Sequence, residues 1–245
     1  MARSALLFYG FAAYGVSAVT FLYLVGFVGD LLVPKTVDSG PEASRLEVLL
    51  VDTFLLALFA GQHSMMARKG FKKWWTKIVP SAIERSTYTL VSSLFLLVLF
   101  WQWRPDLTLV WDIPNPMAQR ILEALFWLGW LIAIHSTFLT DHADLFGLRQ
   151  VLLFVRGRPY TPPKFKMREL YRHVRHPIMM GLLISLWATP AMTLGRLIFA
   201  LGMTAYIVLG IRLEERDLVE TYGEAYREYR RRVPMILPLP RFLRR

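Results

Sequence analysis

Residues 170–181 read LYRHVRHPIMMG, which crowds Arg172, His173, Arg175 and His176 against a proline where an apolar run begins. Guanidinium groups hold anions, and imidazoles hold anions or move protons. Pro177 suits the first turn of a helix. The backbone amides just beyond it then face outward unpaired, and a helix N-terminus of this kind receives an anion. Arg175 and His176 strengthen that site, and Gly181 lets another chain or a ligand approach closely. His173 and His176 stand three apart, as metal ligands on one helical face do, but no third ligand at fixed spacing joins them. No metal is expected.

Further along stand two adjacent acids, Glu214 and Glu215. Beyond them Leu218, Tyr222, Tyr226, Tyr229 and Val233 recur at a 4-4-3-4 spacing, which keeps them on one face of a helix. If a tight turn joins the apolar runs at 178–193 and 196–211, both chemistries meet at one mouth. Amides and arginine would hold a carboxylate, the acids would accept hydroxyl hydrogen bonds, and aromatic faces would attract a sulfonium. S-adenosylmethionine carries all three groups. Nucleotide phosphates would suit the anion site, but no glycine-rich loop precedes it.

Two more polar clusters exceed what a membrane anchor needs. GQHSMMAR places Gln62, His63 and Ser64 near the end of an apolar run that also contains Asp52. Ionisable groups at membrane depth cost about 2.5–3.5 kcal/mol on insertion scales, so they are functional candidates. HSTFLTDHADLFGLRQ carries His135, Asp141, His142, Asp144, Arg149 and Gln150. His142 beside two carboxylates could be a base, or part of an ordinary polar cap. His135, on an otherwise apolar face, reads as a packing residue.

The elements that must position these groups follow from composition. The chain has 245 residues, 55% of them hydrophobic and 19% charged. A soluble domain has roughly 45–50% apolar and about 25% charged residues. The apolar excess lies in blocks at 4–29, 46–67, 86–103, 118–139, 178–193 and 196–211, most of them about as long as a bilayer crossing requires. These blocks predict an all-α integral membrane bundle of five or six transmembrane helices, ending in a tight hairpin and a cytoplasmic amphipathic helix. One domain, 1–245, is expected: four membrane helices over 4–139, a cytoplasmic loop at 140–177, and the hairpin and tail at 178–245. The 4–29 run is too long for a cleavable signal and lacks a small-residue cleavage pattern, so it is expected to stay as the first helix.

The net charge of +11 sits between apolar blocks, in loops 68–85 and 140–177 and in the tail. The remaining connections are acidic, balanced or nearly neutral. This alternation is the positive-inside pattern, with both termini in the cytoplasm and the protein in the inner membrane, and it makes nucleic acid an unneeded partner. The partners expected are the lipid bilayer and a small substrate. With no cysteine, disulfides, iron–sulfur clusters and thiolate metal sites are excluded. Trp74, Trp75, Trp101, Trp103 and Trp111 fall at segment ends, as interfacial anchors do. RGRPYTPPKFK, residues 156–166, is too proline-rich for continuous helix.

RHPIMMG, a short hairpin, EE and Y-x-x-x-Y-x-x-Y-x-x-x-VP together resemble the membrane methyltransferases related to isoprenylcysteine carboxyl methyltransferase. That pattern has Tyr two residues after the proline, where this chain has Met179. The stretches QHSMMARKGFKKWW, IERSTYTL, FWQW, HADLFGLRQ and RHPIMMGLLISLWATPAMTLG are similar to the methanethiol S-methyltransferase branch, grouped with NnrU-like proteins. The resemblance implies methyl transfer from S-adenosylmethionine to methanethiol, a small thiol, giving dimethyl sulfide. It assigns the cofactor region to Arg175, His176, Pro177, Gly181, Glu214, Glu215, Tyr226, Tyr229 and Arg230. Because a thiol attacks as its thiolate, a base or cationic site is expected. His63 is the first candidate base and His142 the second, with Arg85 and Tyr88 of IERSTY stabilising the anion. A methyltransferase for a lipidic or prenylated thiol or carboxylate, and a non-enzymatic membrane assembly factor, are the alternatives.

Overall fold

In a computed structural model, residues 3–162 and 167–238 are described. The described residues are mostly helical, in order α1 (Arg3–Gly29), α2 (Arg45–Ala67), α3 (Lys69–Trp75), α4 (Glu84–Gln102), β1 (Leu109–Asp112), α5 (Pro116–Thr140), α6 (His142–Leu145), α7 (Leu148–Val155), α8 (Pro177–Trp187), β2 (Ala191–Thr193), α9 (Leu194–Tyr222) and α10 (Glu224–Arg232). The two strands pair in a small sheet. Five helices, α1, α2, α4, α5 and α9, are long and apolar enough to cross a membrane, so the protein is an all-α integral membrane bundle. At 11 residues α8 reaches only about 16 Å. Part of the proline-rich loop, residues 163–166, lies outside the described residues.

The chain divides into two compact units, the first formed by Met1–Val110, Asp141–Pro163 and Met192–Gly202. In it α4 packs against α1 and α2, and α7 lies on α1. The buried face of α1 runs through Leu6, Gly10, Ala13, Ser17, Thr20, Leu24 and Phe27, alternating steps of four and three. Such a stripe keeps one seam toward a neighbouring helix. Small hydroxyls link the helices: Ser93 Oγ donates to Ser17 Oγ at 3.1 Å, and Tyr9 Oη meets Thr87 Oγ1 at 2.9 Å. Apolar surface gives little drive to helix association in lipid, so polar contacts and close packing must supply it. α2 starts at Ser44, whose side chain accepts the Glu47 amide.

At the far end of this unit Phe27, Phe100, Trp103 and Phe199 form an aromatic knot, with ring centroids 4.7–6.0 Å apart. Trp103 is therefore core and not an interfacial anchor: it is fully buried and its indole N–H donates to the Val37 carbonyl at 3.1 Å. Trp101 and Trp74 are exposed, as anchors should be. Asp52 is also structural here, since its Oδ1 accepts the Arg104 amide at 3.0 Å just past the end of α4. Asp38, paired with Arg196 and accepting from Thr193, fastens the 30–44 loop to the start of α9.

The second unit comprises Trp111–Thr140, Lys164–Ala191 and Met203–Arg245. Its spine is the contact between α5 and α8, built on Gly129 and Ala133 facing Gly181 and Ser185. Each helix offers two small residues one turn apart, the arrangement that lets backbones approach in a membrane. A Cβ at Gly181 would lie 2.4 Å from the Gly129 carbonyl oxygen and 2.6 Å from the Ala133 nitrogen. Gly181 thus serves helix packing: another part of the chain, not a ligand, fills the space beside it. Ser185 Oγ donates to the Phe126 carbonyl at 2.9 Å across the same contact.

The hairpin boundaries differ from the sequence reading. The first arm ends at Trp187, because Pro190 and an extended segment follow. The second arm does not stop at Ile211, since neither glycine nor proline interrupts 211–222. It continues to Tyr222 and carries Glu214 and Glu215 inside the helix. Gly223, at φ +59°, breaks the predicted amphipathic helix in two.

Replacing Gly181 by Val should cost about 1–3 kcal/mol through overpacking against α5. Thermal unfolding in detergent should show it, while Gly61→Ala, where an added Cβ meets nothing within 4 Å, should leave the midpoint nearly unchanged.

Candidate functional site

In the second unit the two ends of the hairpin meet around one carboxylate. Glu215 Oε1 accepts from Arg175 Nε at 2.6 Å and lies 3.1 Å from His176 Nε2, and its Oε2 is 3.4 Å from Arg230 Nε. Glu215 and His176 are each only 6% exposed. A buried carboxylate is tolerated only when charge and hydrogen bonds replace its lost water, and three basic side chains do so here. Arg175 goes further, donating through Nη1 to the Arg230 and Val233 carbonyls. Backbone pairs complete the junction, from Arg175 N–H to the Pro234 carbonyl at 2.9 Å and from His176 N–H to that of Met235 at 3.1 Å. The VP segment after the tyrosines is thus a structural partner of RHP, which sequence reasoning did not assign.

Pro177 opens α8 at its first position and no side chain among the described residues caps that end, so the first-turn amides of Ile178 and Met179 are left for another acceptor. Glu214 remains half-exposed, 3.7 Å from His176 Nδ1. Arg230 is half-exposed too. One carboxylate, one guanidinium and one uncapped helix end therefore stand at the open side of a buried ion-pair floor.

Tyr226 and Tyr229 lie elsewhere in this arrangement than expected. They are buried with Val233 against Leu218, Val219 and Tyr222, all on the stripe or beside it. The spacing survives the break at Gly223, and their faces pack the tail down. Tyr229 Oη donates to the Tyr171 carbonyl at 2.6 Å. Burial, with the Glu215 charge added for Tyr226 and that of Tyr171 for Tyr229, raises both phenols above the ordinary range and keeps them protonated. His135 is exposed and pairs with Glu169 at 3.0 Å, so it is no packing residue.

The first unit gathers the other candidates. His63 on α2 faces α4, with its ring centroid 4.9 Å from that of Tyr88 and Nδ1 3.0 Å from Ser92 Oγ. The Arg85 guanidinium stands 5.0 Å over the Tyr88 ring, and Arg85 Nε donates to the Leu145 carbonyl at 2.9 Å. That bond ties the cluster to α6, where His142 Nε2 meets Tyr14 Oη at 2.9 Å. Burial, opposed by Asp141, lowers the His142 pKa, which favours its neutral ring. Gly147, at φ +86°, brings α7 against Ser86, where a Cβ would come within 2.5 Å of the Ser86 nitrogen. Ser92 and Tyr14 were missed in the sequence reading. The serine pair in TLVSSLFLL, inside an apolar run, was the available signal for Ser92.

The fold and these sites define a polytopic membrane protein whose polar chemistry lies in two buried clusters, one on each unit. A family model for the NnrU protein matches residues 52–238. A methanethiol S-methyltransferase of Mycobacterium tuberculosis is 52% identical, covering 98% of each chain. Methanethiol S-methyltransferase 2 of Bradyrhizobium diazoefficiens is 52% identical over 97% of this chain and 91% of its own. That of Crocosphaera subtropica is 48% identical over 97% and 93%. No solved structure matches. The chain belongs to the NnrU family, and its likeness to these relatives supports a methyltransferase function.

Glu215→Gln should destabilise the protein by about 3–5 kcal/mol, because Arg175 is left buried without its partner charge. Glu214→Gln, at a half-exposed site, should stay within about 0.5 kcal/mol of wild type in the same thermal unfolding measurement.

Proposed function

We propose that the protein methylates methanethiol with S-adenosylmethionine, giving dimethyl sulfide, S-adenosylhomocysteine and a proton. The observation that carries this reading is near-full-length identity of about half to proteins named for that reaction, together with a charged clasp whose open groups suit a zwitterion.

The donor set fits S-adenosylmethionine. The uncapped amides of Ile178 and Met179, with Arg230, suit an α-carboxylate, and Glu214 suits an ammonium or ribose hydroxyls. Arg175, His176 and Glu215 already satisfy one another, so they support the binding groups and do not compete for the ligand. When bound, the cofactor supplies an electrophilic methyl on a sulfonium.

The residues of this chain then have two tasks. The first is to hold the reacting atoms in line, which can supply roughly 7–11 kcal/mol. The second is to favour an anionic sulfur, since an alkyl thiol is a weaker acid than cysteine, whose pKa is about 8.5. Arg85, Tyr88 and His63 form the cationic and hydrogen-bonding cluster suited to that anion. His63 and His142 are the two imidazoles suited to taking its proton. The protein lies in the inner membrane with both termini in the cytoplasm, where the arginine-rich tail and basic loops belong, and α8 together with the extended residues after it makes the sixth crossing that this requires.

Membranes containing the protein, given methanethiol and S-adenosylmethionine, should release dimethyl sulfide into the headspace, and release should depend on both reagents. Product from labelled lipid extracts alone would instead assign a lipidic acceptor, and no product from either would end the proposal.

A further inference from the structure

The hydrogen bonds around His63 run in one direction, and Met66 sets it. Gln62, next to His63 on α2, has an amide nitrogen 3.0 Å from Met66 Sδ. A thioether sulfur only accepts, so the group facing it is the NH2, and a carbonyl oxygen there would set two acceptors together. The same Nε2 donates to Ser92 Oγ at 3.4 Å. Gln62, Met66 and Ser92 are all buried, at 5–8% exposure, so water does not substitute for these bonds. Ser92 Oγ has two partners among the described residues, Gln62 and His63. Its first contact is a bond accepted, and the one acceptor left for its proton is His63 Nδ1, at 3.0 Å. An imidazole that accepts at Nδ1 carries its proton on Nε2 when neutral.

We propose that Ser92 is a positioning residue that holds neutral His63 in the Nε2–H form, so that the ring meets the substrate sulfur as a hydrogen-bond donor and not as its base. The proposal rests on the thiol methyl transfer above and decides which way His63 serves it. The thiol gives its proton to water before it reacts and reaches the site as its anion. A sulfur lone pair forms the new carbon–sulfur bond, the methyl–sulfonium bond breaks, and its electron pair stays on the donor sulfur, which becomes neutral. His63 Nε2–H and the Arg85 guanidinium hold the anionic sulfur until then. The buried Gln62 Oε1, which has no partner, is the mark this orientation leaves: both amide hydrogens are committed and the carbonyl is stranded.

The tautomer can be read without turnover. Nitrogen NMR of protein labelled at histidine, above the pH range of histidine titration, with His63 assigned through His63→Gln, should show a protonated Nε2 and an accepting Nδ1. Ser92→Thr should keep that pattern and Ser92→Ala should give a mixture. A wild-type Nδ1–H, or a pattern indifferent to Ser92→Ala, overturns the proposal.

Kinetics supply the second arm. A glutamine amide can donate but cannot act as a base. His63→Gln should keep kcat/KM within roughly tenfold of wild type, whereas His63→Ala, lacking the donor, should lose roughly 10²–10³-fold. Equal loss in both, with S-adenosylmethionine binding intact, would make His63 the base and overturn the proposal. A wild-type protein that forms no dimethyl sulfide would end the proposed reaction instead, while the NMR would still judge the tautomer.

Discussion

Glu215 is a carboxylate buried in a membrane protein, and the second unit is organised around keeping it satisfied. Arg175, His176 and Arg230 reach it from before α8 and from α10, while Glu215 itself is carried on α9. No one of these elements can leave without stranding a charge. The interaction therefore fixes where α8 begins and where the tail must return, and it leaves Glu214, one residue away on the same helix, facing the open side. Neighbouring residues with opposite fates follow from helix geometry, because consecutive positions point about 100° apart.

The same unit shows how that carboxylate is brought to its partners. Gly129, Ala133, Gly181 and Ser185 let α5 and α8 touch backbone to backbone, a contact that gains dispersion where lipid offers no hydrophobic drive. In the first unit hydroxyl pairs between α1 and α4 take the corresponding part, and the polar residues left over on the α2–α4 contact are Gln62, His63, Tyr88 and Ser92.

Much of this was legible in the sequence. Apolar blocks gave the membrane helices because about 20 apolar residues have few other uses. The 4-4-3-4 stripe gave the tyrosine face, and RHP with EE gave the clasp, because buried ionisable groups must find one another. The helix ends were less legible. Pro190 closes α8 before the apolar run ends, and nothing in 211–222 stops α9, so the break falls at Gly223. Hydropathy reports lipid contact, not helix continuity. Trp103 looked like an interfacial ring by position and is buried by two aromatic partners distant in sequence, Phe27 and Phe199. Ser92 was hidden for a similar reason: a serine in a membrane helix usually bonds its own backbone, and only the fold places this one between Gln62 and His63.

The central claim is that the ion-pair floor of Glu215 supports a site for S-adenosylmethionine on its open side. Equilibrium dialysis of the detergent-purified protein with labelled S-adenosylmethionine tests it most directly, comparing wild type with Arg230→Ala and Glu214→Gln. Saturable binding at one site per chain, weakened by both substitutions in proteins that remain folded, is the result expected. Absence of saturable binding to the folded wild type, or binding that neither substitution alters, would contradict it.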